Sequence, residues 1–119
     1  MNLPEIKAEF ILDKEGKPKG RSSEQYAIRL SVENTPKDTH AVTYYLHSSY
    51  YDPVREVRDQ ASHFCEELTS YGDFDIQVKV RTRDHSILTK RSLYEALAES
   101  HGQSSEPTIK EALQNIHDN

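Results

Sequence analysis

Two short stretches of this chain gather most of the residues that could do chemistry. The first reads Tyr45-Leu46-His47-Ser48-Ser49-Tyr50-Tyr51-Asp52-Pro53-Val54-Arg55, and the second reads Leu68-Thr69-Ser70-Tyr71-Gly72-Asp73-Phe74. Each is an apolar, strand-like run that passes into a polar loop carrying tyrosines. Loops held on a rigid frame commonly form binding surfaces. Tyr50, Tyr51 and Tyr71 fall just outside the alternating apolar pattern, where packing alone does not demand a ring. Two readings stay open here: the tyrosines cap the end of the core, or they hold a ligand. Ser49 has the same ambiguity, because a turn serine often bonds its own backbone. His47, Ser48, Ser49 and Asp52 have the side-chain types of a hydrolytic triad. A triad is a matter of geometry that near neighbours in sequence rarely reach, so no catalytic residue is assigned and no enzyme is expected. His40, His47, His63, His85, His101 and His117 are scattered, and Cys65 lacks a second cysteine at ligand spacing. No metal site and no cofactor is expected.

The composition narrows the possible partners. The chain has 119 residues, enough for one domain with one core. Hydrophobic residues make up 34% and charged residues 29%, which suits a thin sandwich with polar ends. A net charge of −5 disfavours non-specific binding to a phosphate backbone and is compatible with a Lys- or Arg-rich peptide. The single cysteine, Cys65, excludes an internal disulfide framework and fits a reducing cytoplasm or nucleus. Met1-Asn2-Leu3-Pro4-Glu5 does not read as a secretory signal. No run of about 18 apolar residues is present to span a membrane as a helix.

A period of two runs through the first three quarters of the sequence. Ile6, Ala8, Phe10 and Leu12 alternate with polar residues, broken at Ile11, and a Gly/Pro-rich turn follows at 15–20. Tyr26, Ile28, Leu30 and Val32 repeat the pattern, then Val42, Tyr44 and Leu46, then Phe74, Ile76, Val78 and Val80. Alternation of this kind means one packed and one wet face, as in the antiparallel sheets of a sandwich. Shorter strands are expected at 63–68 and 86–89. After Lys90 the period changes. Ser92 and Glu95 form a capping-box pattern ahead of Leu93, Ala96 and Leu97, with Gly102 as a stop. Thr108 and Glu111 repeat the cap ahead of Ile109, Ala112, Leu113 and Ile116. The expected organisation is an all-β sandwich over residues 1–90 and a helical extension over 91–119. Because the strand pattern is complete before it, the segment 105–119 is expected to be dispensable for folding the sandwich.

The two loop stretches together resemble the YEATS family, whose members carry a Leu-His-x-Ser-aromatic motif at a strand end. Pro-x-Arg or similar follows, and a Gly-aromatic-Gly-x-Phe motif then opens another strand. This chain has Leu46-His47-Ser48-Ser49-Tyr50, Pro53-Val54-Arg55, and Ser70-Tyr71-Gly72-Asp73-Phe74 ahead of Ile76-Gln77-Val78-Lys79-Val80. The resemblance covers roughly residues 25–85, and its wording is closest to the bacterial branch, which is associated with stress-response or conflict systems. It implies an immunoglobulin-like sandwich that binds an acylated lysine in a slot between two aromatic rings. Carried over by motif, Tyr50 and Tyr71 are the rings and Ser49 bonds the ligand amide. His47 braces the loop, and the backbone N–H of Tyr71, between Ser70 and Gly72, bonds the acyl carbonyl. The chain departs from the pattern at Tyr51, where the family usually has Pro, and at Ser70, where it has Gly. Both changes touch the implied slot.

Two other functions compete with this one. A protein–protein adaptor on the same frame would use the same loops without reading an acyl group. A helix-turn-helix would use residues 97–113, yet Lys110 is the only Lys or Arg from Ser92 to Asn119. That leaves little to contact phosphates and base edges. The partner expected is therefore a protein or peptide, with an acylated lysine in a basic segment, and not a nucleic acid or a membrane.

Overall fold

The computed structural model describes residues 3–23 and 25–119. Seven strands form two antiparallel sheets: β1 (Glu5–Phe10), β2 (Tyr26–Glu33), β3 (Ala41–Tyr45), β4 (Val54–Val57), β5 (Glu66–Ser70), β6 (Asp75–Arg81) and β7 (Ser86–Ser92). One sheet has the order β1-β2-β5 and the other β4-β3-β6-β7. Two helices follow, α1 (Leu93–His101) and α2 (Pro107–Asp118). The mostly β fold read from the alternating runs is therefore the fold observed.

The alternation works as physical chemistry requires. Ile6, Ala8 and Phe10 of β1, and Tyr26, Ile28, Leu30 and Val32 of β2, point inward. They meet Val42 and Tyr44 of β3 and Ile76, Val78 and Val80 of β6 in one apolar cluster. Full burial of each such side chain is worth roughly 1.5–3 kcal/mol, so a slip of one residue in any of these strands would lose the whole set. Leu46 joins the core from just beyond β3. Phe74 does not: it is only partly buried, outside β6, and packs on the margin of the cluster.

Several boundaries differ from expectation for identifiable reasons. The strand placed at 63–68 begins later, at Glu66, because Phe64 leaves the chain as an anchor. Its ring is buried, its carbonyl accepts the Tyr44 hydroxyl at 2.5 Å, and its N–H donates to the Asp59 carbonyl. To point inward there, His63 and Phe64 both take left-handed backbone angles, φ 58° and 57°. Such angles cost non-glycine residues about 1–2 kcal/mol each, which burial of the ring offsets. The strand β7 runs to Ser92, beyond the expected 86–89. No alternating run predicts the edge strand β4, which is four residues long with neither face fully buried.

The helices belong to the same core. Leu93, Ala96 and Leu97 of α1, and Ala112 and Ile116 of α2, are fully buried within the apolar cluster. The Ser92 side chain accepts the Glu95 N–H at 3.0 Å, as the capping pattern predicts. The second cap differs: the N-cap is Glu106 and not Thr108, the Glu106 carboxylate accepting the Thr108 N–H at 3.3 Å, and Pro107 opens the helix. Helix α1 lies along the free edge of β1. There the Phe10 N–H donates to Nε2 of His101 at 2.9 Å, and Arg91 donates to the Ile6 carbonyl at 2.8 Å. His101 is thus a neutral acceptor, and burial lowers its pKa. Both helices lay their apolar faces on the sandwich and leave their polar faces exposed. No helix among the described residues is long and apolar enough to cross a membrane.

Candidate functional site

The loop after β3 and the turn after β5 meet at one end of the sandwich and enclose a cleft of about 460 Å³. Its lining includes His47, Ser49, Tyr50, Ser70, Tyr71 and Gly72, so all six residues singled out from the sequence are brought together. Tyr51, Thr69, Asp73 and Phe74 also line it, as do two residues that no motif indicated, Gln25 and Asn119. No lysine or arginine is among the described residues that line it.

On the β3 side, the chain folds back through its own short hydrogen bonds. Leu46 N–H donates to the Pro53 carbonyl at 2.7 Å and Tyr50 N–H to the His47 carbonyl at 3.1 Å. The His47 Nδ1 accepts the Ser49 N–H at 3.1 Å, which makes Nδ1 unprotonated. The Ser49 hydroxyl lies 2.8 Å from the same nitrogen and therefore donates to it. That leaves the lone pairs of Oγ available to an outside N–H group. This is a serine–histidine contact without the rest of a triad. Nδ1 is shared with a backbone N–H, and no carboxylate bonds the ring among the described residues. Asp52 contributes its backbone carbonyl to Arg55 instead.

Tyr50 is half-buried. Its hydroxyl donates to the Thr69 carbonyl at 2.7 Å, tying the two sides of the cleft, and burial pushes its phenol pKa up. Its ring packs against Phe74, centroids 5.6 Å apart, and carries the Arg55 guanidinium 5.8 Å from its centre. Arg55 also donates to the Glu67 carbonyl at 3.0 Å, clamping β4 to β5. Tyr71 is different: it is 61% exposed and pairs with no other ring among the described residues. The two tyrosines thus share a cleft without stacking on one another, and Phe74 is the ring that Tyr50 touches. Tyr51 is 99% exposed and adds an aromatic rim.

The turn after β5 is braced partly by itself. The Ser70 hydroxyl donates to the Gly72 carbonyl at 2.7 Å and accepts the Gly72 N–H at 3.3 Å. Ser70 is buried by this arrangement, so its side chain serves the turn. No acceptor for the Tyr71 N–H is found among the described residues. Remote elements do the rest: Asp73 N–H donates to the Asn119 carbonyl at 3.1 Å, and the Asp73 carboxylate accepts the Tyr94 N–H at 2.9 Å. Gly72 lies so close to Asn119 that a methyl group there would come within 2.8 Å of its backbone. Among the described residues, no group of three or more His, Cys, Asp or Glu side chains is placed to hold a metal ion.

Comparison with known proteins agrees with this architecture. No curated protein matches the chain in sequence. Among solved structures, the Yaf9 YEATS domain bound to H3K27ac is similar at a TM-score of 0.54 and 21% identity, over 76% of this chain and 73% of that one. The yeast AF-9 homolog protein Yaf9 is similar at 0.54 and 23%, over 76% and 69%. The Yaf9 YEATS domain recognizing an H3K122suc peptide is similar at 0.53 and 18%, over 76% and 73%. At these identities the likeness is one of fold, an immunoglobulin-like sandwich. The sequence profile of the prokaryotic YEATS domain matches residues 26–91, more than half of the chain and both cleft motifs, and the chain therefore belongs to the prokaryotic YEATS domain family.

Proposed function

We propose that this domain is a non-enzymatic binding module of the cytoplasm that takes an acylated lysine side chain into the cleft between Tyr50 and Tyr71. The observation that carries the reading is the state of Ser49. Its proton is committed to His47, so its oxygen is an acceptor at the cleft wall, where an amide N–H needs one. The Tyr71 N–H supplies the matching donor for the acyl carbonyl. A flat, neutral amide then lies against the ring of Tyr71 with both of its polar ends satisfied. The family membership supports this reading, as do the histone-peptide ligands of the structurally similar Yaf9 domains.

The expected affinity is modest. Each aromatic contact adds about 0.5–1.5 kcal/mol beyond area burial, and each hydrogen bond about 0.5–1.5 kcal/mol net. After association costs, about −4 to −6 kcal/mol remains, a dissociation constant from tens of micromolar to millimolar. The test is an NMR titration with matched acetyl-, longer-acyl- and unmodified-lysine peptides, following residues 47–53 and 69–73. Acylated peptides shift these signals, and the free ammonium, which cannot accept the Tyr71 N–H, binds more weakly. Tyr71→Ala abolishes the shifts with little loss of stability, because most of the ring is already in solvent. Equal binding of acylated and free lysine would leave the domain as a protein–protein adaptor.

A further inference from the structure

The family match ends at Arg91, immediately before the two helices, yet these helices hold one side of the cleft. Asp73 N–H donates to the carbonyl of Asn119, and Gly72 is in backbone-to-backbone contact with the same residue. The seat is itself anchored. Asn119 Nδ2 donates to the Asn115 carbonyl at 2.8 Å, and Asn115 Nδ2 donates at 2.6 Å to the hydroxyl of Tyr26, the buried first residue of β2. Helix α1 adds Tyr94 N–H on the Asp73 carboxylate and Leu93 N–H on the Phe74 carbonyl. The turn that carries Tyr71 is therefore gripped from outside the matched residues 26–91, and Asn119 and Gln25 line the cleft beside it.

We infer that α2 is a positioning element of the binding site: by seating Asn119 on the Gly72–Asp73 turn, it fixes the Tyr71 ring and N–H for the ligand. The inference rests on the reading of the cleft as an acyl-lysine site. It does not follow from stability alone. The Ser70–Gly72 bonds close the turn without α2, but nothing else among the described residues takes the Asp73 N–H. None of the strand-ladder hydrogen bonds runs through α2, so loosening its seat acts on the Asp73 anchor directly.

The experiment uses the full chain with Asn115→Ala, which removes the tie to Tyr26, and Ile116→Ala, which loosens the buried face of α2. Neither residue lines the cleft. The readouts are acetyl-lysine peptide affinity, amide exchange of Asp73 relative to Val78 in β6, and the melting temperature. Both variants should retain a cooperative melt, exchange Asp73 faster than Val78 relative to the parent, and bind the peptide about fivefold more weakly, the worth of one net hydrogen bond. Peptide affinity equal to the parent's, with Asp73 exchange accelerated, overturns the inference and leaves the acyl-lysine reading standing. A parent chain that binds no acylated peptide overturns that reading and this inference together. If Ile116→Ala fails to fold, Asn115→Ala decides, since its side chain is not part of the apolar cluster.

Discussion

The two loops that enclose the cleft are built on opposite plans. The loop after β3 closes on itself through neighbours in sequence, His47 to Ser49, Tyr50 to His47, Leu46 to Pro53 and Arg55 to Asp52, and the Tyr50 and Arg55 side chains then tie it across to β5. The turn after β5 owes its anchorage to Tyr94 and Asn119, far along the chain. A locally wired loop keeps its shape wherever the frame presents it. A remotely wired turn has a shape that depends on tertiary docking, so its position can be changed from a distance. One wall of the site is thus preset and the other is conditional.

Substitutions can break this contrast, beginning with the largest effect. Gly72→Ala places a methyl group against the Asn119 backbone, where no flexible side chain can yield. An overpacked site of this kind costs typically about 1–3 kcal/mol, so denaturant melts should show a clear loss of stability together with weakened peptide binding. A smaller effect comes from His101, another remote tie. Burial lowers its pKa in the folded state, so protonation favours the unfolded chain. The stability it supports is present above the ordinary imidazole value of about 6.5 and is lost as pH falls through the lower folded value. Thermal melts between neutral and mildly acid pH should show this decline, and His101→Gln, which can still accept the Phe10 N–H, should flatten it. The smallest effect on stability is expected at Ser49→Ala in the locally wired loop, within about 0.5 kcal/mol by melting. The same variant should lose about 1 kcal/mol of acyl-peptide binding by titration, the value of one hydrogen bond.

The same division explains what the sequence discloses. The strands carrying Tyr26 to Val32 and Ile76 to Val80 are legible because each inward side chain is separately rewarded by burial. The residues His47, Ser49, Tyr50 and Tyr71 could be grouped because motif and loop lie together in the chain. Asn119 and Gln25 could not, since nothing local about either residue marks it as a neighbour of Gly72. Its place in an alternating run predicts Phe74 in the core, but β6 begins one residue later and leaves its ring on the cleft. The edge strand β4 shows no full burial on either face, so its alternation has no core to report. Thr108 is the residue type that favours a cap, so the sequence places the start of α2 too late, while Pro107, suited to the first helical position, marks the true start after Glu106.

The docking of α1 along β1 also bears on how many copies of the domain can share a crowded solution. β1 is an edge of its sheet, and an open edge invites a second chain to extend the ladder, the first step toward fibrils or swapped dimers. Here the outward Phe10 N–H is taken by His101 and the Ile6 carbonyl by Arg91. Lys7 and Arg91 also converge on Glu99, setting charged side chains over the same border. A neighbouring copy that approached this side would meet a helix and an ion cluster instead of a free strand, so the domain can be concentrated without β1 acting as a seed for polymerisation.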